Sequence, residues 1–162
     1  MKSKFRIILE KSFDNCDLQV RDYGKEQLNL IKATGPIDRR QRGIVFREIL
    51  KINDTGNFFY ILDNRGGFEI ELSPADMTYL NALLYDGGIR YVRGGVVTLD
   101  VAYSLLVSLA KAKARAENFE VELVSTTIFV EAEEFVKSKL IELVNASKEK
   151  SLTGNLLNIR KW

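Results

Sequence analysis

The side chains able to do chemistry in this chain are chiefly guanidinium groups and aromatic rings. Arg39, Arg40 and Arg42 stand together, with Arg47 close behind, and Arg65 precedes Gly66-Gly67. Phe58 and Tyr60 alternate along a short apolar run, and Arg90, Tyr91 and Arg93 lead into Gly94-Gly95. Guanidinium forks match phosphate oxygens in pairs. Rings on an open sheet stack on unpaired bases, at about 1 to 3 kcal/mol per base. These ten residues are therefore candidates for gripping a single-stranded nucleic acid, with arginines on the backbone and rings on the bases. Each stretch also has a plainer explanation: a solvated charged loop, a strand covered on both sides, and a hairpin whose glycines supply positive φ.

What the chain lacks narrows the alternatives further. It has no histidine and one cysteine, so imidazole bases, Ser-His and Cys-His nucleophiles, and thiolate or imidazole metal sites are excluded. Oxygen-ligated ions alone remain. Asp14 with Asp17, and Asp86 with Asp100, are the available carboxylate pairs, but their spacing matches no cage and Asp caps turns far more often. Glu131, Glu133 and Glu134 fall where a helix begins, and acids there stabilise the helix dipole. Cys16 sits beside Asp14 and Asp17 with no neighbouring cation to form a thiolate. The reading is a non-enzymatic chain that needs no cofactor or metal.

The 162 residues carry 24 basic and 22 acidic side chains, a balance too even to announce a polyanion partner. The positive charge is concentrated in the first third, where residues 1–51 hold 12 basic and 7 acidic groups. A lone cysteine favours a reducing compartment. No apolar run approaches the roughly 18 residues of a membrane span, and the cytoplasm is the expected location.

The elements that must position these side chains follow from periodicity. Residues 4–13, 18–23 and 27–33 alternate as strands, with Gly24-Lys25 at a hairpin turn. Residues 37–43 read as a charged surface loop. Residues 44–53, 57–63 and 68–72 read as three strands joined by the turns Asp54-Thr55-Gly56 and Asn64-Arg65-Gly66-Gly67. Ser73, Pro74 and Asp76 predict a capped helix with Met77, Leu80, Leu83 and Leu84 on its apolar side and a stop at Gly87. Residues 89–97 form a strand or hairpin, and Thr98 or Asp100 caps a helix to about Ala116. The apolar stripe of that helix is Val101, Leu105, Leu106, Leu109, Ala112 and Ala116. Residues 119–130 form another strand, and a last helix runs from Glu131 to about Lys150.

Strands joined by short turns must pair antiparallel, so the expectation is a single α+β domain over residues 1–150, an antiparallel sheet packed against about three helices. Residues 151–162, with Leu152, Leu156, Leu157, Ile159 and Trp162, form an apolar tail docked on the body or on a partner subunit. No glycine loop has Walker or dinucleotide spacing.

Residues 43–85, read as a strand meander followed by the helix Ser73-Pro74-Ala75-Asp76-Met77, resemble the Whirly and PUR-alpha group of single-stranded nucleic-acid-binding proteins. That resemblance implies curved antiparallel sheets that bind unpaired bases and oligomers assembled through helices. The competing reading is a structural or accessory subunit mediating protein–protein assembly, a homodimer or higher oligomer through the last helix and tail.

Overall fold

A computed structural model describes residues 4–100 and 102–159, and the side chains as far as Gly154. The chain begins with three antiparallel strands, β1 (Arg6–Ser12), β2 (Cys16–Asp22) and β3 (Gln27–Ala33). It then alternates: α1 (Arg39–Leu50), β4 (Asn57–Asn64), α2 (Pro74–Asp86), β5 (Tyr91–Thr98), α3 (Tyr103–Ala116), β6 (Glu120–Thr126) and α4 (Phe129–Ile159). All six strands form one sheet in sequence order.

The sheet is mixed, which corrects the antiparallel expectation: β3, β4, β5 and β6 are mutually parallel. Parallel neighbours need a crossover of a dozen or more residues. The three intervening segments supply α1, α2 and α3, and α4 after β6 brings the described helices to four in place of about three. Three same-direction crossovers, right-handed by rule, put α1, α2 and α3 on one face. Val45, Phe46 and Ile49, then Leu80 and Leu84, then Val107 and Ala114 join Phe58, Leu62, Val92 and Val96 in one core there. On the opposite face α4 sets Ala132, Val136, Leu140 and Val144 over Leu28, Phe59, Ile61, Tyr91 and Val97.

The largest departure from the sequence reading is α1, where residues 44–53 read as a strand and 37–43 as a loop. Asp38 is its N-cap, with a capping box completed by Gln41, and Val45, Phe46 and Ile49 fall on the buried side. Residues 68–72 make no ladder. Their alternation is real, because Phe68, Ile70 and Leu72 press on the first core while Glu69 and Glu71 face solvent. The three-strand meander behind the Whirly and PUR-alpha resemblance is therefore helix, strand, extended strap and helix.

The capped start of α2 is as read: Ser73 Oγ accepts from the Asp76 N–H at 3.1 Å, and Asp76 Oδ2 accepts from the Ser73 N–H at 3.0 Å. Gly87 is its C-cap. Strand β1 meets solvent with Ile7, as does Phe5 just before it, because a bulge between Ile7 and Leu9 breaks the strand's alternation and it lies at the sheet's edge. Residues 119–130 divide between β6 and the first turn of α4. That helix absorbs residues 151–159, of which 151–154 are exposed; the side chains from 155 and residues 160–162 lie outside the described part.

Candidate functional site

The ten residues singled out from the sequence are distributed over five parts of the molecule. Phe58 is completely buried, its ring 5.3 Å from Phe46 and 5.6 Å from Tyr60. The Tyr60 ring lies on Gly94, where a Cβ would come within 2.4 Å of it. Burial raises the Tyr60 phenol above its ordinary value, and Arg42 partly offsets this. On the other face Tyr91 is buried under α4 and donates to Glu122 Oε2 at 3.0 Å. None of the three rings lies on an open pleated surface, because helices cover both faces of β4 and β5.

The arginines are equally dispersed. On the outer side of α1, Arg39 lies 3.7 Å from Asp76 and 5.0 Å from the Tyr79 ring, and Arg47 donates to the Tyr79 hydroxyl at 2.5 Å. Arg40 is exposed beside them. Arg65, beyond the C-terminal end of β4, makes a two-pronged contact with Asp63 at 2.9 and 2.8 Å. That contact holds the Asp63 carboxyl below its ordinary value, chiefly through the Arg65 side-chain hydrogen bond. Arg90 lies at the other end of the sheet, 3.4 Å over the Tyr85 ring. Arg93 is tucked under α4, pairing with Glu122 and donating to the Phe135 carbonyl at 2.7 Å. Arg42 points inward.

On the α4 side, the sheet is covered less completely over β1, β2 and the C-terminal part of β3 than over β4 and β5, with Phe129 of α4 at the margin. A groove of about 540 Å³ opens there, lined by Glu10, Asp17, Gln19, Lys32, Asp63 and Arg65 among others. Glu10, Asp17 and Asp63 are balanced there by Lys11, Lys32 and Arg65, so the groove carries no net positive field to draw a phosphate chain.

Burial pushes the Cys16 thiol up to about 11, with Asp17 adding to the effect, so it stays protonated near neutrality. Among the described residues no group of three or more Asp, Glu or Cys could hold a metal ion. The strand order supplies no crevice either. Doubly wound sheets bind ligands where successive crossovers leave in opposite directions, and here all three leave the same way.

What the sequence reading placed in the core turns out to be surface. Of the stripe read on α3, Leu105, Leu109, Ala112 and Ala116 face solvent, with Leu105 75% and Leu109 46% exposed, Leu106 is half-buried, and Val101 lies outside the described residues. The core side of α3 is Val107 and Ala114, with Tyr103 half-buried against it. Leu99, Ile128 and Val130 are also exposed, at the C-terminal ends of β5 and β6. The 4-3-4 spacing of the stripe was legible in the sequence; its direction was not, since a helix with two apolar sides has two possible seats.

Comparison with known proteins returns no match: no protein-family model, no curated protein and no solved structure aligns with the chain. Among the described residues no helix is long and apolar enough to cross a membrane.

Proposed function

We propose that this chain is a non-enzymatic assembly module that pairs with a second copy of itself through α3. The exposed seam Leu105, Leu109, Ala112, Ala116 carries the reading. Its spacing is that of helices that pack knobs into holes, and its two alanines let another helix approach closely. A two-fold axis across α3 makes the seam its own complement, so each leucine pair faces the alanines of the other copy. Leu99, Ile128 and Val130 are further exposed apolar side chains, beyond the C-terminal ends of β5 and β6.

Light scattering after size exclusion tests it. The chain should elute as a dimer, twice the 18.4 kDa of one copy. Leu105→Glu with Leu109→Lys should give folded monomers with an unaltered circular-dichroism spectrum and a melting temperature lowered only by the stabilisation that pairing supplies. A monomeric parent at about 0.1 mM, weaker than most specific homodimers, overturns the proposal. So does a dimer that survives both substitutions.

Single-stranded nucleic acid is a second reading, supported by one observation: Arg39, Arg40 and Arg47 are exposed together on α1, which has no acid in its first turn. Anisotropy titration of a labelled single strand at two salt concentrations tests it. Binding that weakens with salt and with loss of these three arginines supports it; no binding at low salt removes it.

A further inference from the structure

We infer that the interior between α1, α2 and the sheet is a binding site for a short-chain monocarboxylate, with Arg42 as its anchor. Arg42 extends from the second turn of α1 into the first core, where its guanidinium influences Cys16, Tyr60 and Tyr103. No carboxylate of the described residues pairs with it, and its Nε–H is buried without a hydrogen-bond acceptor. Arg42 is half-buried beside the Tyr103 hydroxyl, yet its Nε–H is shut off from water, and a buried donor left without an acceptor is costly.

A cavity of about 80 Å³ adjoins it, lined by Arg42, Phe58, Tyr60, Leu80, Asn81 and Val92 among others. Asn81, from α2, places its side-chain amide nitrogen there, also buried without an acceptor. No acidic side chain lines this cavity or the smaller one on the far side of Arg42. Two independent helices thus direct unsatisfied donors into one apolar chamber.

Donors without acceptors select an anion, and apolar walls select a hydrocarbon tail. The planar carboxylate is the anion that a guanidinium fork and an amide N–H hold together. Size sets the rest. One water needs about 10 to 15 Å³ by this measure, so the chamber holds about five to eight atoms of that size, which butyrate satisfies and octanoate exceeds. This site lies inside the first core and is independent of pairing through α3.

Titration of the full chain with sodium butyrate, followed by the Nε–H resonance of Arg42 and by calorimetry, tests the inference. Saturable binding is expected, with the Arg42 resonance shifting and octanoate failing to compete. Arg42→Gln should weaken butyrate by about tenfold or more, the scale of a lost charged hydrogen bond. Asn81→Asp, which sets a like charge in the chamber, should do the same and serves if the first variant does not fold. No saturable response to butyrate, equal binding of butanol, or unchanged affinity in both variants overturns the site.

Discussion

Gly95 faces Ala132 of α4, and a methyl group added there measures how closely that helix closes the sheet. A Cβ at Gly95 would lie 2.8 Å from Ala132 Cβ and 3.3 Å from its Cα. Carbon atoms in contact prefer about 3.5 to 4.0 Å, so α4 would have to retreat by roughly an ångström along its packed length. The obstacle is helix backbone and a methyl that has no rotamer to escape into. Overpacking of this kind costs about 1 to 3 kcal/mol. For a chain of this length that lowers Tm by about 2 to 12 °C, taking about 2 to 4 °C per kcal/mol. Thermal unfolding followed by circular dichroism reads the effect in Gly95→Ala. Adding Ala132→Gly to that variant should recover part of the loss, although glycine inside a helix costs about 1 kcal/mol by itself. The non-additivity is the signature of direct contact. If Gly95→Ala melts with the parent, α4 does not press on β5, and the case for a sheet closed on that face fails.

Two further outcomes follow from the burial pattern. Phe58→Ala should cost about 3 to 5 kcal/mol in urea unfolding, as for a fully buried ring; a change near zero would return Phe58 to an open surface. Glu26 is buried at the start of β3, and its pKa is raised by that burial, against hydrogen bonds from Asn57 and Thr55. The fold therefore prefers the protonated acid: stability is complete below the unfolded value of 4.5 and falls as pH rises through the raised folded one. Glu26→Gln, which keeps an acceptor for Asn57, should raise Tm at about pH 7 and leave it unaltered at about pH 3. An advantage of equal size at both pH values would refute the assignment.

The covered sheet changes what the arginines can do. Arg65, Arg90 and Arg93 are each held by a carboxylate, a carbonyl or a ring, on different ends or faces of the sheet. A polymer cannot meet them together. The exposed Leu105, Leu109, Ala112 and Ala116 share one side of α3, which is why the assembly reading has the firmer geometry. Arg42 differs from the others in that no carboxylate of the described residues pairs with it and its Nε–H is buried without an acceptor, which is the reason to look for a ligand inside the first core.

Local signals were legible wherever they were complete within a few residues. The Ser73-Pro74-Asp76 start of α2, the Gly24 turn with φ of 100° and the span of β3 need no distant partner to be recognised. Segment 39–50 failed for the opposite reason. Its isoleucines, valine and phenylalanine carry β propensity, and propensity is a weak prior that packing overrides. Asp38 and Gln41 held the correct signal, a capping box in which Gln takes the place of Glu.

By itself the amino-acid sequence determined the α+β class, the exclusion of histidine and multi-cysteine chemistry, the capped helix, and the alternation of Phe58, Tyr60 and Leu62 against Phe59 and Ile61. Tertiary structure alone decided which strands are neighbours and which faces are covered. A strand's period of two states that it has two sides, and it says nothing of what lies over either. Once α1 became a crossover, β3 and β4 had to run parallel, the three crossover helices had to share a face, and the rings beneath them left the surface. The same packing turned the leucines of α3 outward, because only one side of that helix can rest on β6.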